Sequence, residues 1–139
     1  MFDRALAGLE KMLGAEHTST LNIANNLGLL YALQGHLAKA EEMFDRALAG
    51  RQKILGVEHT STLETVNNLG HLYASQGRLA DAEEMYDRAL VGYEKTLGGK
   101  HPSTLTVVRN LGNLHADQGR LDDAKRMYDR TRKEQVSVS

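Results

Sequence analysis

The amino-acid sequence repeats itself with a period of 42 residues. Three sets of residues recur at this spacing: Asn26, Asn68 and Asn110; Gly35, Gly77 and Gly119; and Phe44, Tyr86 and Tyr128. Self-similarity at such a period is the signature of an array in which each unit packs against its neighbours. The sequence therefore predicts stacked units rather than a fold around one central core.

Each unit carries two apolar patterns with the three-four spacing of an amphipathic α-helix. In the second unit, Leu63, Val66 and Leu69 share one stripe, and Tyr86 and Ala89 share another. The first helices are predicted over residues 18–34, 60–76 and 102–118, beginning at HTST, HTST and HPST. Pro102 suits the first helical position, and Ser61 with Glu64 suits a capping box. The predicted fold class is all-α, an α-solenoid of seven helices arranged as antiparallel hairpins.

The chain is predicted to be a single array over residues 1–134. Its parts are a partial second helix at 1–13, hairpins at 18–55, 60–97 and 102–134, and a disordered tail at 135–139. Residues 1–13 repeat Met43 to Leu55 almost position for position, so we expect the array to be cut from a longer one at its amino end. Thr131 and Arg132 replace the alanine and leucine of the other units, which indicates a polar natural end.

Glycine recurs in two settings. Gly77 stands where one helix must end and reverse, and glycine adopts the left-handed backbone of such a turn most readily. Gly70, with its counterparts Gly28 and Gly112, lies inside a predicted helix. Glycine there costs about 0.5–1 kcal/mol relative to alanine. We therefore expect the paired helix to approach closely at these positions.

Composition excludes several classes of function. The net charge of −1 lacks the basic bias of a nucleic-acid-binding protein, so no nucleic-acid partner is predicted. The chain contains no cysteine, which excludes disulfides and thiolate chemistry and is typical of a reducing compartment. No apolar run approaches the length of a membrane span, and the amino terminus lacks a signal-peptide layout. We expect a cytoplasmic protein that does not enter a membrane.

Aligning the units on Asn-Leu-Gly brings a set of motif residues into register. In the second unit these are Asn68-Leu69-Gly70, Tyr73, Gln76-Gly77, Ala82, Tyr86 and Ala89. The set resembles the tetratricopeptide repeat, whose usual unit of 34 residues is here longer by about 8. The length and the junction LG..HTSTL are similar to kinesin light chains and to the arrays of fungal NACHT or NB-ARC receptor-type proteins. The receptor-type arrays are favoured, because their neighbouring units are often nearly identical.

The sequence departs from that family at two positions. The usual tryptophan of the first helix is replaced by Ala24, Val66 and Val108, and His115 occupies the place of Tyr31 and Tyr73. Neither change alters the predicted fold.

The resemblance implies a protein-protein interaction scaffold that is not an enzyme and needs no cofactor. In that family the first helices line a concave groove that holds a peptide or a partner helix. Carried over position by position, the predicted lining is Asn22, Asn25, Asn26, Leu29 and Leu33, then Glu64, Asn67, Asn68, His71 and Ser75, then Thr106, Arg109, Asn110, Asn113 and Asp117.

Asn26, Asn68 and Asn110 form a ladder along the predicted groove. A carboxamide offers both a donor and an acceptor, so it can pair with the backbone of a ligand whatever its side chains. Arg109 would then select an acidic group. The alternative is that these asparagines bond to neighbouring helices and have a structural role.

Three histidines, His17, His59 and His101, also recur at 42 residues. Ligands of a compact metal site usually lie a few residues apart, whereas these are equivalent points on successive units. We predict that they begin helices and that the chain holds no metal. No serine, histidine and acid set recurs with catalytic spacing.

A structural role is the second hypothesis. Phe2, Ala5, Leu6 and Leu9 form an apolar face whose partner helix is missing from the sequence. Such a face favours self-association, so the alternative function is a spacer or a module that forms homo-oligomers through its end helices.

Overall fold

The computed structural model describes residues 17–138 and, ahead of them, residues 4, 7, 8, 11 and 14. Six α-helices and no strand occur in this part of the chain. They are α1 (Thr18–Leu33), α2 (Leu37–Leu55), α3 (Thr60–Ser75), α4 (Leu79–Leu97), α5 (Pro102–Asp117) and α6 (Leu121–Val138). The all-α prediction is confirmed, but the count of seven helices is wrong for the described residues. The seventh helix is predicted over residues 1–13, most of which lie outside the described residues.

The helices pack in sequence order. Within a unit, α1 packs on α2, α3 on α4 and α5 on α6, while α2 contacts α3 and α4 contacts α5 between units. Because the connections within each pair are only three residues long, the paired helices run antiparallel. Each hairpin therefore contacts only its neighbours, and the arrangement is the predicted solenoid of helical hairpins.

The turn after α3 shows how each hairpin reverses. Gly77 has a φ of +76°, a backbone conformation that residues with a Cβ adopt at a cost. The amide of Gly77 donates to the carbonyl of Ala74 at 3.0 Å, and that of Arg78 donates to Tyr73 at 2.9 Å. This is the Schellman pattern, which satisfies carbonyls left open at a helix end. The predicted turn glycine is confirmed.

The glycine inside each first helix lies against an aromatic ring of its paired helix. A Cβ added to Gly28 would lie 2.5 Å from a ring carbon of Phe44, and one on Gly70 would lie 2.7 Å from Tyr86. Gly112 makes the same contact with Tyr128, at 2.8 Å. Real Cβ atoms do not approach carbon this closely, so the predicted close approach of the paired helix is confirmed.

Histidine begins each first helix. The backbone amide of Ser61 donates to Nδ1 of His59 at 3.0 Å, and Ser19 and Ser103 donate in the same way to the histidines two residues before them. The side chain thus accepts from an amide that the helix leaves without a partner. The prediction that these histidines begin helices is confirmed. The capping box of Ser61 with Glu64 is wrong, because Glu64 turns instead toward the preceding unit.

Two apolar clusters run through the stack. The first joins α1, α2 and α3 around Phe44, Ala24 and Leu69, and the second joins α3, α4 and α5 around Tyr86, Val66 and Leu111. Tyr73 and Met85 pack against both clusters. The core is therefore continuous along the stack, because the second unit supplies buried residues to both clusters.

The last helix differs from the prediction at its end. The sequence predicts an array end at 134 and a disordered tail from 135, whereas α6 continues to Val138. No glycine or proline interrupts α6, so nothing in its sequence stops the helix earlier. Arg132, at the position of the half-buried Leu48 and Leu90, has a side chain 77% exposed.

Gly70→Ala tests the contact between glycine and the aromatic ring. Alanine is the better helix former by about 0.5–1 kcal/mol, but its methyl group would overlap Tyr86, and overpacking a core costs about 1–3 kcal/mol. We expect a net loss of about 1–2 kcal/mol in the free energy of unfolding, measured with denaturant. Ser75→Ala, on the exposed face of the same helix, is the control and should not destabilise. Equal stability of Gly70→Ala and the native chain would contradict the packing argument.

The histidine at the start of α3 gives a second test. His59→Ala removes the acceptor for the Ser61 amide and should lower the free energy of unfolding by about 0.5–2 kcal/mol, the usual range for a lost N-cap. His59→Asn keeps a side-chain acceptor at the same position and should retain most of the stability. Thermal and urea unfolding of the two variants measure the difference. Equal losses in both would show that ring packing, rather than the hydrogen bond, is what His59 contributes.

Candidate binding groove on the first helices

The first helix of each unit exposes one stripe. On α1 the stripe holds Asn22, Asn26, Leu29 and Leu33, which are all exposed and recur every three to four residues, as one face of a helix requires. The same positions on α3 hold Glu64, Asn68, His71 and Ser75, and those on α5 hold Thr106, Asn110, Asn113 and Asp117. Because α1, α3 and α5 lie in this order along the stack, their exposed stripes lie side by side in the same order.

The first cavity lies between the carboxyl halves of α1 and α3 and has a volume of about 520 Å³. We call it the apolar cavity. Its lining is Leu29, Ala32, Leu33, Leu37, Phe44, Asn67, Asn68, His71, Leu72, Ser75 and Asn110. Leu29 is 42% exposed and Leu33 is 86% exposed, so two large apolar side chains stand at its surface. Its volume lies in the range of ligand-binding clefts.

The second cavity lies between α3 and α5, has a volume of about 240 Å³ and is called the polar cavity here. Its lining is His71, Ala74, Ser75, Tyr86, Asn110, Asn113, Leu114 and Asp117. His71, Ser75 and Asn110 line both cavities, so the two adjoin and form one groove. Burial raises the pKa of Tyr86 to about 12, which keeps its phenol neutral. Asp117 is the one carboxylate among the residues that line the groove.

The asparagines bond from unit to unit. Nδ2 of Asn68 donates to Oδ1 of Asn25 at 3.2 Å, and Nδ2 of Asn110 donates to Oδ1 of Asn67 at 3.2 Å. Each amide is therefore held in one orientation by the preceding unit. These two bonds give Asn68 and Asn110 the structural role that was the alternative to ligand binding. The bonds use only part of each carboxamide, since each has two donor hydrogens and a carbonyl with two lone pairs.

A polar network at the junction of the first and second units was not predicted. Its centre is Arg51, which is 5% exposed. The guanidinium donates to the carbonyl of Ser61 at 2.8 Å and to Oγ1 of Thr65 at 2.9 Å, and it lies 3.4 Å from Glu64. It also donates to Oδ1 of Asn22 at 2.8 Å. One cation thus links three helices, α1, α2 and α3.

Asn25 completes this network and is 2% exposed. Its Nδ2 donates to Glu64 at 3.0 Å, and its Oδ1 accepts from Thr65 at 3.0 Å as well as from Asn68. A buried carboxamide with both ends bonded is already satisfied. Asn25 therefore positions its neighbours instead of meeting a ligand.

The next junction is built differently. Tyr93 takes the place of Arg51, and Val107 takes that of Thr65. Tyr93 is buried, and burial together with the nearby Glu64 carboxylate raises the pKa of its phenol to about 12. The sequence does contain a sign of the Arg51 network, because Arg51 and Thr65 are both replaced in the next unit. This paired change can be interpreted only when residues 51 and 65 are known to be in contact.

The structure divides the predicted lining into three groups. Leu29, Leu33, Asn67, Asn68, His71, Ser75, Asn110, Asn113 and Asp117 line the groove. Asn22, Asn25 and Glu64 bond within the Arg51 network. Asn26, Thr106 and Arg109 are exposed but line neither cavity. Sequence reasoning missed the residues that the second helices contribute to the groove, Leu37 and Phe44 from α2 and Tyr86 from α4.

Two further observations concern the described part of the chain. No three metal-ligating side chains come together there. None of its helices is both long and apolar enough to cross a membrane.

Comparison with protein families gives two matches, both to models described as tetratricopeptide repeat. One covers residues 60–133 and the other residues 20–61. No curated protein matches the chain.

Among solved structures, the chain is similar to BtubC (BKLC) from P. vanneervenii, with 24% identity and a TM-score of 0.91, over 99% of this chain and 55% of that one. It is also similar to a protein of Podosopora anserina assigned to the kinesin light chains, with nearly identical TPR-like repeats. That match has 26% identity and a TM-score of 0.84, over 99% of this chain and 65% of that one. The chain thus spans about half to two thirds of these proteins.

The Arg51 network predicts a specific pattern of stability. Arg51→Ala should lower the free energy of unfolding by about 2–3 kcal/mol, because hydrogen bonds to a charged group contribute about 1.5–3 kcal/mol. Arg51→Tyr with Thr65→Val copies the residues of the next junction, so the double variant should lose less than the sum of its single variants. A double-mutant cycle by urea unfolding measures this coupling. Arg132→Ala, at an exposed arginine, is the control, and simple additivity would contradict the network.

Proposed function

Because the chain belongs to the tetratricopeptide repeat family, we propose that it is a protein-interaction module whose groove, formed by the apolar and polar cavities, binds a segment of a partner protein. Repeats of this family are generally protein-protein interaction modules. The observation that supports the groove as the site is the apolar cavity itself. It combines exposed leucines with carboxamides whose orientation the stack fixes.

The asparagines that line the apolar cavity keep hydrogen-bonding groups that a ligand could use. Oδ1 of Asn68, Oδ1 of Asn110 and Nδ2 of Asn67 have no partner among the described residues, although all three side chains line the apolar cavity. A groove with apolar walls and a few oriented polar groups is the usual form of a ligand site. We infer that these atoms pair with the ligand and that the inter-unit bonds hold them ready for it.

The repeat fold is typically a scaffold without catalysis, and we propose no enzymatic activity for this chain. The finer likeness to fungal receptor-type arrays and the cytoplasmic location stay predictions. Self-assembly also stays a prediction, because Phe2, Ala5, Leu6 and Leu9 lie outside the described residues. Light scattering across a range of concentrations tests it, and a strict monomer would count against it.

A blocked groove tests the proposal. A random-peptide library displayed on phage is selected against the native chain, and the enriched clones are then measured on two variants. Ser75→Trp places a large ring where both cavities meet. Val91→Trp is the matched control, since Val91 is 60% exposed and lines neither cavity. We expect Ser75→Trp to weaken binding at least about tenfold, or about 1.4 kcal/mol, and Val91→Trp to leave it unchanged.

Thermal unfolding must first show that both tryptophan variants are folded. Clones that bind both variants as tightly as the native chain would place recognition elsewhere on the surface. A selection that enriches no clone for the native chain would also count against a peptide-binding groove.

A further inference from the structure

The exposed stripe of the first helices changes from unit to unit. Three of its four positions differ in all three units: Asn22, Glu64 and Thr106; Leu29, His71 and Asn113; and Leu33, Ser75 and Asp117. The fourth position is always asparagine, which bonds between units at Asn68 and Asn110. Two of the positions that differ line the groove, at Leu29 and Leu33 and their counterparts, beside the constant Asn68 and Asn110.

Exposure alone does not explain these differences. The second helices of the first two units share seven exposed positions; four hold the same residue in both, while Lys39 and Asp81, Ala49 and Val91, and Ile54 and Thr96 differ. The identical exposed pairs are Ala38 and Ala80, Glu42 and Glu84, Asp45 and Asp87, and Lys53 and Lys95. Solvent tolerates many residues at such sites, yet between the first two units these helices keep four of seven exposed residues, whereas the stripe of the first helices keeps only its asparagine. A stripe that varies more from unit to unit than the other exposed positions is what a unit-by-unit recognition surface requires.

The differences have a direction along the stack. The two groove positions are both leucine in the first unit, become His71 and Ser75 in the second, and become Asn113 and Asp117 in the third. The groove therefore runs from an apolar end to an end with a carboxylate. No described residue forms an ion pair with Asp117, so its charge is available to a ligand.

The conformation of the ligand follows from the asparagines that line the groove. The open carboxamide atoms of Asn67, Asn68 and Asn110 need backbone groups as partners, or polar side chains. A helix uses its own backbone groups internally, except at its ends. An extended segment leaves its N–H and C=O groups open along its length, so it can satisfy these asparagines wherever it crosses the groove.

We propose that the groove binds an extended segment that places a large apolar side chain in the apolar cavity and a lysine or arginine beside Asp117 in the polar cavity. This inference rests on the proposed function and specifies its ligand. The two cavities adjoin, since His71, Ser75 and Asn110 line both. Because successive side chains of an extended chain alternate between its two faces, two side chains that both enter the groove lie an even number of residues apart, about two or four.

The two ends of the groove contribute differently. Burying a large apolar side chain changes affinity by about tenfold or more. An ion pair at an exposed carboxylate changes it only about two- to fivefold. The apolar cavity thus supplies most of the affinity, while Asp117 discriminates between basic and acidic partners.

Synthetic peptides are the probes. Each has a glycine and serine background with one phenylalanine and one lysine, separated by about two to four residues and placed in both orders. The matched peptides replace lysine by glutamate, or phenylalanine by serine. Binding is measured by NMR titration of the isotope-labelled chain, which reports both affinity and the residues affected. We expect the peptide with phenylalanine and lysine to bind tightest and to shift resonances of groove residues.

The units themselves supply the variants. Leu29→His with Leu33→Ser gives the first unit the groove residues of the second, and it should abolish the preference for phenylalanine. Asp117→Asn should abolish the preference for lysine over glutamate and leave the preference for phenylalanine. The controls are Val91→Ala, which copies Ala49 at an exposed site outside the groove, and Glu84→Gln, which neutralises an exposed carboxylate outside it.

The outcomes separate this inference from the proposed function. If peptides bind in the groove but glutamate is preferred, or Asp117→Asn keeps the discrimination, the assigned ligand chemistry is wrong while groove binding stands. If no probe peptide shifts a groove resonance, this inference is overturned. If the phage selection also yields no clone sensitive to Ser75→Trp, the proposed function fails with it.

Discussion

The contact between a glycine of each first helix and an aromatic ring of its paired helix is the interaction on which the array depends. Gly28, Gly70 and Gly112 let an aromatic ring of the paired helix lie against the helix backbone, and this close approach recurs in every unit. With about 3.6 residues per turn, a face that is buried in this way fixes which face remains outside. The exposed stripe through Leu29 and Leu33 is therefore a consequence of the packing on the other side of the helix.

Identical hairpins need not stack through identical contacts. The first junction is joined by a buried arginine with its hydrogen bonds to Ser61, Thr65 and Asn22, and the second by a buried tyrosine beside a valine. A buried charge loses its water and is stable only when its partners are complete. At the second junction an arginine would lack the hydroxyl acceptor that Thr65 supplies, because Val107 takes its place. The difference thus disfavours stacking the units in a wrong order.

Much of the fold could be predicted because it follows from local rules that recur at 42 residues. The period, the helix spacing, the turn glycines and the close approach at Gly70 each needed only the sequence. What could not be predicted depends on contacts between units. Glu64 satisfied the rule for a capping box, yet it bonds to Asn25 of the preceding unit. Arg51 stood at an unremarkable position until its neighbours were known. In the groove, the first helices supplied the predicted stripe, but Leu37 and Phe44 came from helices that the reasoning had left aside.

The asparagine ladder joins the fold to recognition, and the two roles need not compete. A carboxamide that could rotate would lose that freedom on binding, which costs free energy for each side chain fixed. The bonds to Asn25 and Asn67 already fix Asn68 and Asn110 when the units stack, so ligand binding does not have to immobilise these side chains. The same bonds make the groove sensitive to stacking, since a shift of one unit against the next would turn the amides. A ligand that spans both cavities contacts two junctions at once, so it binds best to the arrangement in which both are formed and stabilises the stack in return.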